Sequence, residues 1–455
     1  MKKERLCLIL FSILAVLGFA PMLQEHFDIP HVEPLAGVTY PVEFPTFDYK
    51  AFHDGSFQLG LEKYLRYHYG YRPWSVRLFN QYLWDCYEKT YTGGVLTIGK
   101  EDWFFEPWFV EDYYHGGTYS EGKDSLTLAN DFNNEAFRLY QLQHLLEQNG
   151  TLLFVCQAPG KDLIYSEYLP ENDAPDRPKI LSGRDYCEAK FNELHLNHIN
   201  MEPWFLQMKD TARFNLFPQK GTHWSNLAAI YATDSILHYI EAKKGIQLNR
   251  MVIGEPYVGK VRKPDNDLET LLNLIRPLKR LPLYYADVKV EPREGAVKPR
   301  LIVIGDSFYW NVCNQVPLYD LFSDHVYWYY NSTVYFDPEH QSTRELDLAE
   351  ELLKADVVML MYNPTQLYKM FNGFPLQALL ALCCDEQELL DGKEAAVQHI
   401  MSAPEWLESI RQRSEEQDIP FETYIQKEAE YVFNLNPQYY LPSLQDSIPV
   451  LRSRR

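Results

Sequence analysis

Three short stretches put reactive residue types where secondary-structure elements should end. The run Leu301-Ile302-Val303-Ile304-Gly305-Asp306-Ser307-Phe308 sets a serine just after an apolar segment closed by Gly-Asp. Such a run reads as a buried strand turning tightly into a helix, and the first N–H groups of a helix lack partners within it. A serine there can serve as a nucleophile, with those N–H groups stabilising the oxyanion that its attack creates. The position is like that of the G-x-S-x-G elbow, with a different consensus. Phe308 should line the same turn. The plainer alternative is an ordinary helix cap, a role both Asp and Ser fill well.

Lys220-Gly221-Thr222-His223-Trp224-Ser225 leads into another helical segment. His223 there could take the Ser307 proton as general base, or be a partly buried structural histidine. Asn363 follows the apolar run Asp356–Tyr362, where its amide could reach the same oxyanion or simply form the turn before Pro364. Gln157-Ala158-Pro159-Gly160-Lys161 also follows a strand-like run, which makes Gln157 and Lys161 candidates to line the site. Paired C-x-x-C motifs, H-E-x-x-H and phosphate-binding loops are absent from the sequence, so no cofactor and no metal is expected.

These residues need a scaffold that gathers strand ends, and the sequence supplies one. Short apolar runs at Thr151–Gln157, His198–Met201, Leu301–Gly305, His325–Tyr330 and Asp356–Tyr362 alternate with helical stretches. That alternation predicts an α/β fold, a mostly parallel sheet covered by helices on both faces. Ligands in such sheets bind beyond the carboxyl ends of the strands. Residues 94–105 read as a hairpin, 124–149 hold a long helix closed by Gly150, and the chain turns helical from Gln377 onward.

The 455 residues carry a net charge of −20, with pI about 5.1, so a general nucleic-acid binder is not expected. The charge is uneven. Residues 385–430 hold thirteen acidic against four basic residues, whereas 243–300 hold thirteen basic against seven acidic. A basic patch of that kind could face an anionic glycan or a membrane, or be a solvated surface. Seven cysteines, two of them adjacent at Cys383 and Cys384, do not make a disulfide framework.

At the start of the chain, Lys2, Lys3 and Arg5 precede an uncharged, mostly apolar run from Leu6 to Leu23. The pattern is that of an export signal or anchor, and Pro21 after Ala20 disfavours cleavage, so an uncleaved anchor is expected. The domain plan is an anchor over 1–23, an extended proline-bearing linker over 24–55, a catalytic domain over 56–376 and a helical C-terminal appendage over 377–455.

The order of these pieces resembles the alginate O-acetyltransferase group of SGNH hydrolase-like proteins. The resemblance rests on GYRPWSVRLFNQ (70–81), VLTIGKEDWFF (95–105), APGKDLIYSEYLP (158–170), GTHWS (221–225) and VIGDSF (303–308). It implies a three-layer α/β/α, circularly permuted domain in which Ser307 is the nucleophile, His223 the base and Asn363 an oxyanion donor. It also implies acetyl transfer to an exported cell-surface polysaccharide, with a membrane-bound O-acyltransferase as donor and the globular part in the periplasm or outside the cell. One position departs from the pattern. The family has Asp-x-His-Trp, and this chain has Gly221 where the aspartate stands. Some other acceptor must then orient His223, or the protein is a non-catalytic glycan-binding or scaffold subunit; a carbohydrate esterase is the third alternative.

Overall fold

A computed structural model of the chain describes residues 2–37, 42–89, 92, 94–116, 125–180, 182–417, 419–445 and 448–452. Helix α1 (Lys2–Phe27) is long and apolar enough to cross a membrane, and it continues through Pro21. The segment expected as an extended linker over 24–55 starts with the last turn of α1 and, among its described residues, also holds the short helix α2 (Tyr49–His53). Helices α3 (Ser56–Tyr67) and α4 (Arg72–Tyr87) follow, separated by the elbow at Gly70.

The hairpin falls where the two apolar runs predicted it, as β1 (Thr97–Ile98) against β2 (Phe104–Phe105). Next come helices α5 (Pro107–His115) and α6 (Ser125–Gln148). The main sheet then collects β3 (Leu152–Gln157), β4 (His198–Asn200), β9 (Arg300–Gly305), β10 (Asp324–Tyr329), β11 (Thr333–Tyr335) and β12 (Val357–Tyr362). Their spatial order is β11-β10-β9-β12-β3-β4, parallel throughout except for the β10–β11 edge pair. All five runs read as strands in the sequence are in this sheet. The sixth strand, β11, is three residues long and too short to carry a period. Between β4 and β9 lie two small antiparallel pairs, β5 (Arg250–Ile253) with β8 (Val288–Glu291) and β6 (Tyr257–Val258) with β7 (Tyr284–Tyr285).

Residues of the central strands alternate between two buried clusters, as the two-residue side-chain period of a strand requires. Phe154, Cys156, Leu301, Val303, Val357, Met359 and Met361 face the helix Asn226–Lys244, the hairpin and the turn after β9. Leu153, Val155, Ile302, Ile304, Val358, Leu360 and Tyr362 face α6 and the helix Phe374–Cys383. Three layers follow directly: helices, sheet, helices. Residues of the C-terminal helices, among them Ile400, Ile410, Ile425 and Phe433, belong to the second cluster, so this part of the chain helps to cover the sheet.

Neighbouring strands β9, β12 and β3 all end at one edge, and close packing there fixes one residue type. A Cβ on Gly305 would stand 2.5 Å from the carbonyl oxygen of Met361. Only glycine lets β9 and β12 approach so closely at the point where the chain turns into Asp306-Ser307.

Candidate active site

Ser307 sits in the turn between β9 and the helix Tyr309–Gln315. The turn is pinned from below by the buried Asp306 carboxylate. Its Oδ1 accepts from the N–H of Phe308 at 3.0 Å, and its Oδ2 accepts from the backbone N–H and side-chain Nδ2 of Asn363 at 2.7 and 2.6 Å. The Tyr327 hydroxyl donates to the Asp306 carbonyl at 2.5 Å. Burial raises the Asp306 pKa to about 6, against these hydrogen bonds and the neighbouring His223, which lower it.

His223 arrives from a loop 84 residues earlier, and three buried hydrogen bonds clip that loop to the serine helix. Trp224 Nε1 donates to the Phe308 carbonyl at 3.1 Å, while Asn311 Nδ2 donates to the Trp224 carbonyl at 3.1 Å and to Asn226 Oδ1 at 3.0 Å. Ser225 caps the following helix by accepting from the N–H of Ala228. The outcome is a direct contact: His223 Nε2 lies 2.7 Å from Ser307 Oγ, with the ring packed on Phe308 at 5.0 Å between centroids.

The other imidazole nitrogen finds a partner that sequence reading did not single out. His223 Nδ1 lies 2.6 Å from Oδ2 of Asp267, whose Oδ1 accepts from the N–H groups of Thr222 and Leu268, each at 2.8 Å. Asp267 comes from the excursion between β6 and β7, 44 residues after the histidine. The carboxylate missing at position 221 is thus supplied from another segment. The carboxylate can only accept, so Nδ1 carries the proton and Nε2 is left to accept from Ser307. Burial alone would lower the His223 pKa, but Asp267, with Glu106 and Asp306 behind it, outweighs burial and raises it above the ordinary 6.5. Position 221 itself has no room for a side chain. A Cβ there would meet the Asp265 carbonyl oxygen and the Pro218 ring, each at 2.8 Å.

Two further groups close around the pair. The Tyr330 side chain hydrogen-bonds Ser307 from the end of β10. Glu106, just after the hairpin, accepts from Trp108 Nε1 at 2.9 Å and lies beside Thr222, His223 and Asp267. Burial and then the Asp267 charge push the Glu106 carboxyl up to about 7. Its negative charge in turn favours protonated His223. Glu106→Gln should therefore move the acid limb of the pH–rate profile to lower pH, with the plateau rate well above neutral changed by less than about tenfold. An acid limb that stays in place would show that Glu106 does not act on His223.

The structure redirects three of the expected site residues. Asn363 does not contact Ser307 among the described hydrogen bonds. Its Nδ2 is held by Asp306 and its Oδ1 accepts from Thr365, so it positions the nucleophile turn and caps the segment after Pro364. Gln157 Nε2 donates to Glu202 Oε2 at 3.2 Å, joining a buried cluster in which Arg184 pairs with Asp162 and Glu202. Lys161 is wholly buried. Its ammonium donates to the carbonyls of Phe104, Pro218 and Gly221 at 2.7, 2.8 and 2.6 Å, over the faces of Trp103 and Phe105. It ties the hairpin to the loop that delivers His223. Burial pulls its pKa well below the usual lysine value, despite Asp267 nearby. Lys161→Met should cost about 3 kcal/mol or more by stranding buried carbonyls, visible as a lowered thermal midpoint. An unchanged midpoint would contradict this tie.

Residues 96–311, from the hairpin through His223, Asp267 and Ser307, match the family "SGNH hydrolase-like domain, acetyltransferase AlgX". Among solved structures, this chain is similar to the O-acetyltransferase domain of Pseudomonas putida AlgJ at 14% identity and TM-score 0.38, covering 60% of this chain and 92% of that one. Pseudomonas aeruginosa AlgX is similar at 14% and 0.39, over 59% of this chain and 61% of its own, so this chain spans under two thirds of AlgX. Bacillus cereus PatB1 is similar at 13% and 0.37, over 61% and 98%. No curated protein matches the chain.

Proposed function

We propose that this AlgX-type protein is an O-acetyltransferase that moves acetyl groups, through an acyl-serine, to hydroxyls of an exported cell-surface polysaccharide. The observation that carries the reading is the unbroken relay of Ser307, His223 and Asp267, with contacts of 2.7 and 2.6 Å, in a domain of that family. Ser307 Oγ attacks the acetyl carbonyl as its proton passes to His223 Nε2, and Asp267 stabilises the resulting imidazolium. That attack leaves a tetrahedral intermediate with the negative charge on the former carbonyl oxygen. Its collapse breaks the bond to the donor's leaving group, which takes the proton from His223. A sugar hydroxyl then attacks the acyl-serine, gives its proton to His223, and leaves with the acetyl group as Ser307 is restored.

In this account α1 is a retained anchor in the cytoplasmic membrane, and the folded part lies on the exported side. There a membrane-bound O-acyltransferase delivers the acetyl group. Residues 56–376 carry the chemistry and 377–455 form a helical cover over one face. Asp267 removes the chief motive for a scaffold reading, which was the missing carboxylate at Gly221.

The test separates transfer from hydrolysis. With an activated acetyl ester as donor and acidic or neutral oligosaccharides as acceptors, the acetyl group should appear on sugar in amounts that rise with acceptor concentration. Release of free acetate alone, insensitive to every acceptor, would make the protein an esterase.

A further inference from the structure

Helix α4 leaves most of its large apolar side chains on the surface turned away from the domain. The face turned toward the rest of the protein is mixed: the buried Asn80 Nδ2 donates to the Leu272 carbonyl at 2.7 Å, the buried Gln81 Oε1 accepts from the N–H of Arg276 at 3.0 Å, the half-buried Arg77 donates to the carbonyls of Glu33 and Pro34, and Trp84 packs edge-on against Phe104. The face turned outward is apolar. Trp74, Leu78 and Tyr82 recur at helical spacing with Phe79 beside them, and they are 45, 59, 52 and 55% exposed in that order. Leu65 and Tyr69, on the approach to the elbow, are also exposed. A contiguous exposed patch of this kind marks a contact surface.

The elbow between α3 and α4 says what that surface meets. Gly70 packs so tightly on α1 that a Cβ there would lie 1.9 Å from the Pro21 carbonyl oxygen. The Tyr71 N–H donates to Gln24 Oε1 at 2.9 Å, and His68 faces Glu25 at 3.3 Å. The elbow is therefore fastened to the last turns of the helix that is apolar enough to span a bilayer, where that helix would leave the hydrocarbon. Tryptophan and tyrosine at that level, with leucine and phenylalanine beside them, match the composition of the membrane–water boundary.

We infer that the Trp74–Leu78–Phe79–Tyr82 face of α4 lies in the headgroup layer of the bilayer that α1 crosses. This rests on reading α1 as a retained anchor. The contact would hold the domain at a fixed tilt, with the active site at a set height above the surface from which the acyl group is delivered.

Photolabelling of the full chain tests this. The protein is reconstituted in vesicles of phosphatidylcholine and phosphatidylglycerol containing a phospholipid with a diazirine near its headgroup, irradiated, digested and mapped by mass spectrometry. Lipid adducts are expected in α1 and also between residues 72 and 87. The doublet Leu78→Glu/Phe79→Glu should cut labelling over 72–87 by about tenfold, leaving the α1 label and the thermal midpoint unchanged. Adducts in α1 with none over 72–87 would overturn the inference and leave the anchor standing, pointing instead to a protein covering that face. Adducts in neither segment would overturn both.

Discussion

Asp267→Asn should lower acetyl transfer by about four orders of magnitude while the protein stays folded. The size follows from the hydrogen bonds around the carboxylate. Oδ1 is fixed by two backbone donors, Thr222 N–H and Leu268 N–H, so the single oxygen of an asparagine would turn to face them. Its NH2 group would then point at His223 Nδ1, which must accept instead of donate. The imidazole proton would move to Nε2, the nitrogen 2.7 Å from Ser307 Oγ, and that nitrogen could no longer receive the serine proton. Loss of the Asp267 charge also removes the largest influence raising His223, so any residual activity should show its acid limb at lower pH than the wild type. Kinetics with a chromogenic acetyl ester, alongside circular dichroism, would measure both effects. A rate within tenfold of wild type would mean that Asp267 does not orient the base.

Ser307→Ala and His223→Ala should each remove acyl transfer, by on the order of 10⁴ or more, and the double variant should be no worse than either alone. The reason is that the two side chains make one proton path. With the hydroxyl gone, the imidazole has no nucleophile to activate. With the imidazole gone, the hydroxyl keeps its proton. The expected pH dependence of the wild type has a definite sign. His223 must be neutral to accept a proton, and its pKa is raised, so the rate should climb with pH through a midpoint above 6.5. Losses that add in the double variant would indicate that the two residues act independently and that the 2.7 Å contact is structural.

Much of this site was legible in the order of residues alone. The central strands could be read because they are continuous apolar runs buried on both faces, a pattern that neither a solvent-facing strand nor an amphipathic helix produces. Ser307 and His223 could be read because each sits at a boundary between elements, in a short motif whose order along the chain matched a family. What could not be read is what long-range folding decides. Asp267 lies in Lys-Pro-Asp-Asn-Asp-Leu-Glu, inside a stretch noted only for its basic charge, and no local pattern separates it from Asp265 two residues before. The fold does separate them. Asp265 is buried and accepts from Asn226, while Asp267 faces the imidazole.

Lys161 and Asn363 show what a strand end leaves open. Both follow strand ends, where reactive groups gather, yet both hold up the loops that present the reacting residues. Position at a strand end did not reveal whether a side chain meets Ser307 or the loops around it. Glu106 and Tyr330 went unnoticed for a related reason. Each reaches the site from an element, the hairpin exit or the β10 end, whose distance from Ser307 only the folded chain sets.

The most direct measurement is peptide mapping by mass spectrometry of the full chain after brief exposure to an activated acetyl ester. The account predicts an acetyl adduct on Ser307 that forms in the wild type, is absent from His223→Ala, and disappears when a saccharide acceptor is added. An acetyl group found only on lysines or other serines, equally in wild type and His223→Ala, would contradict it.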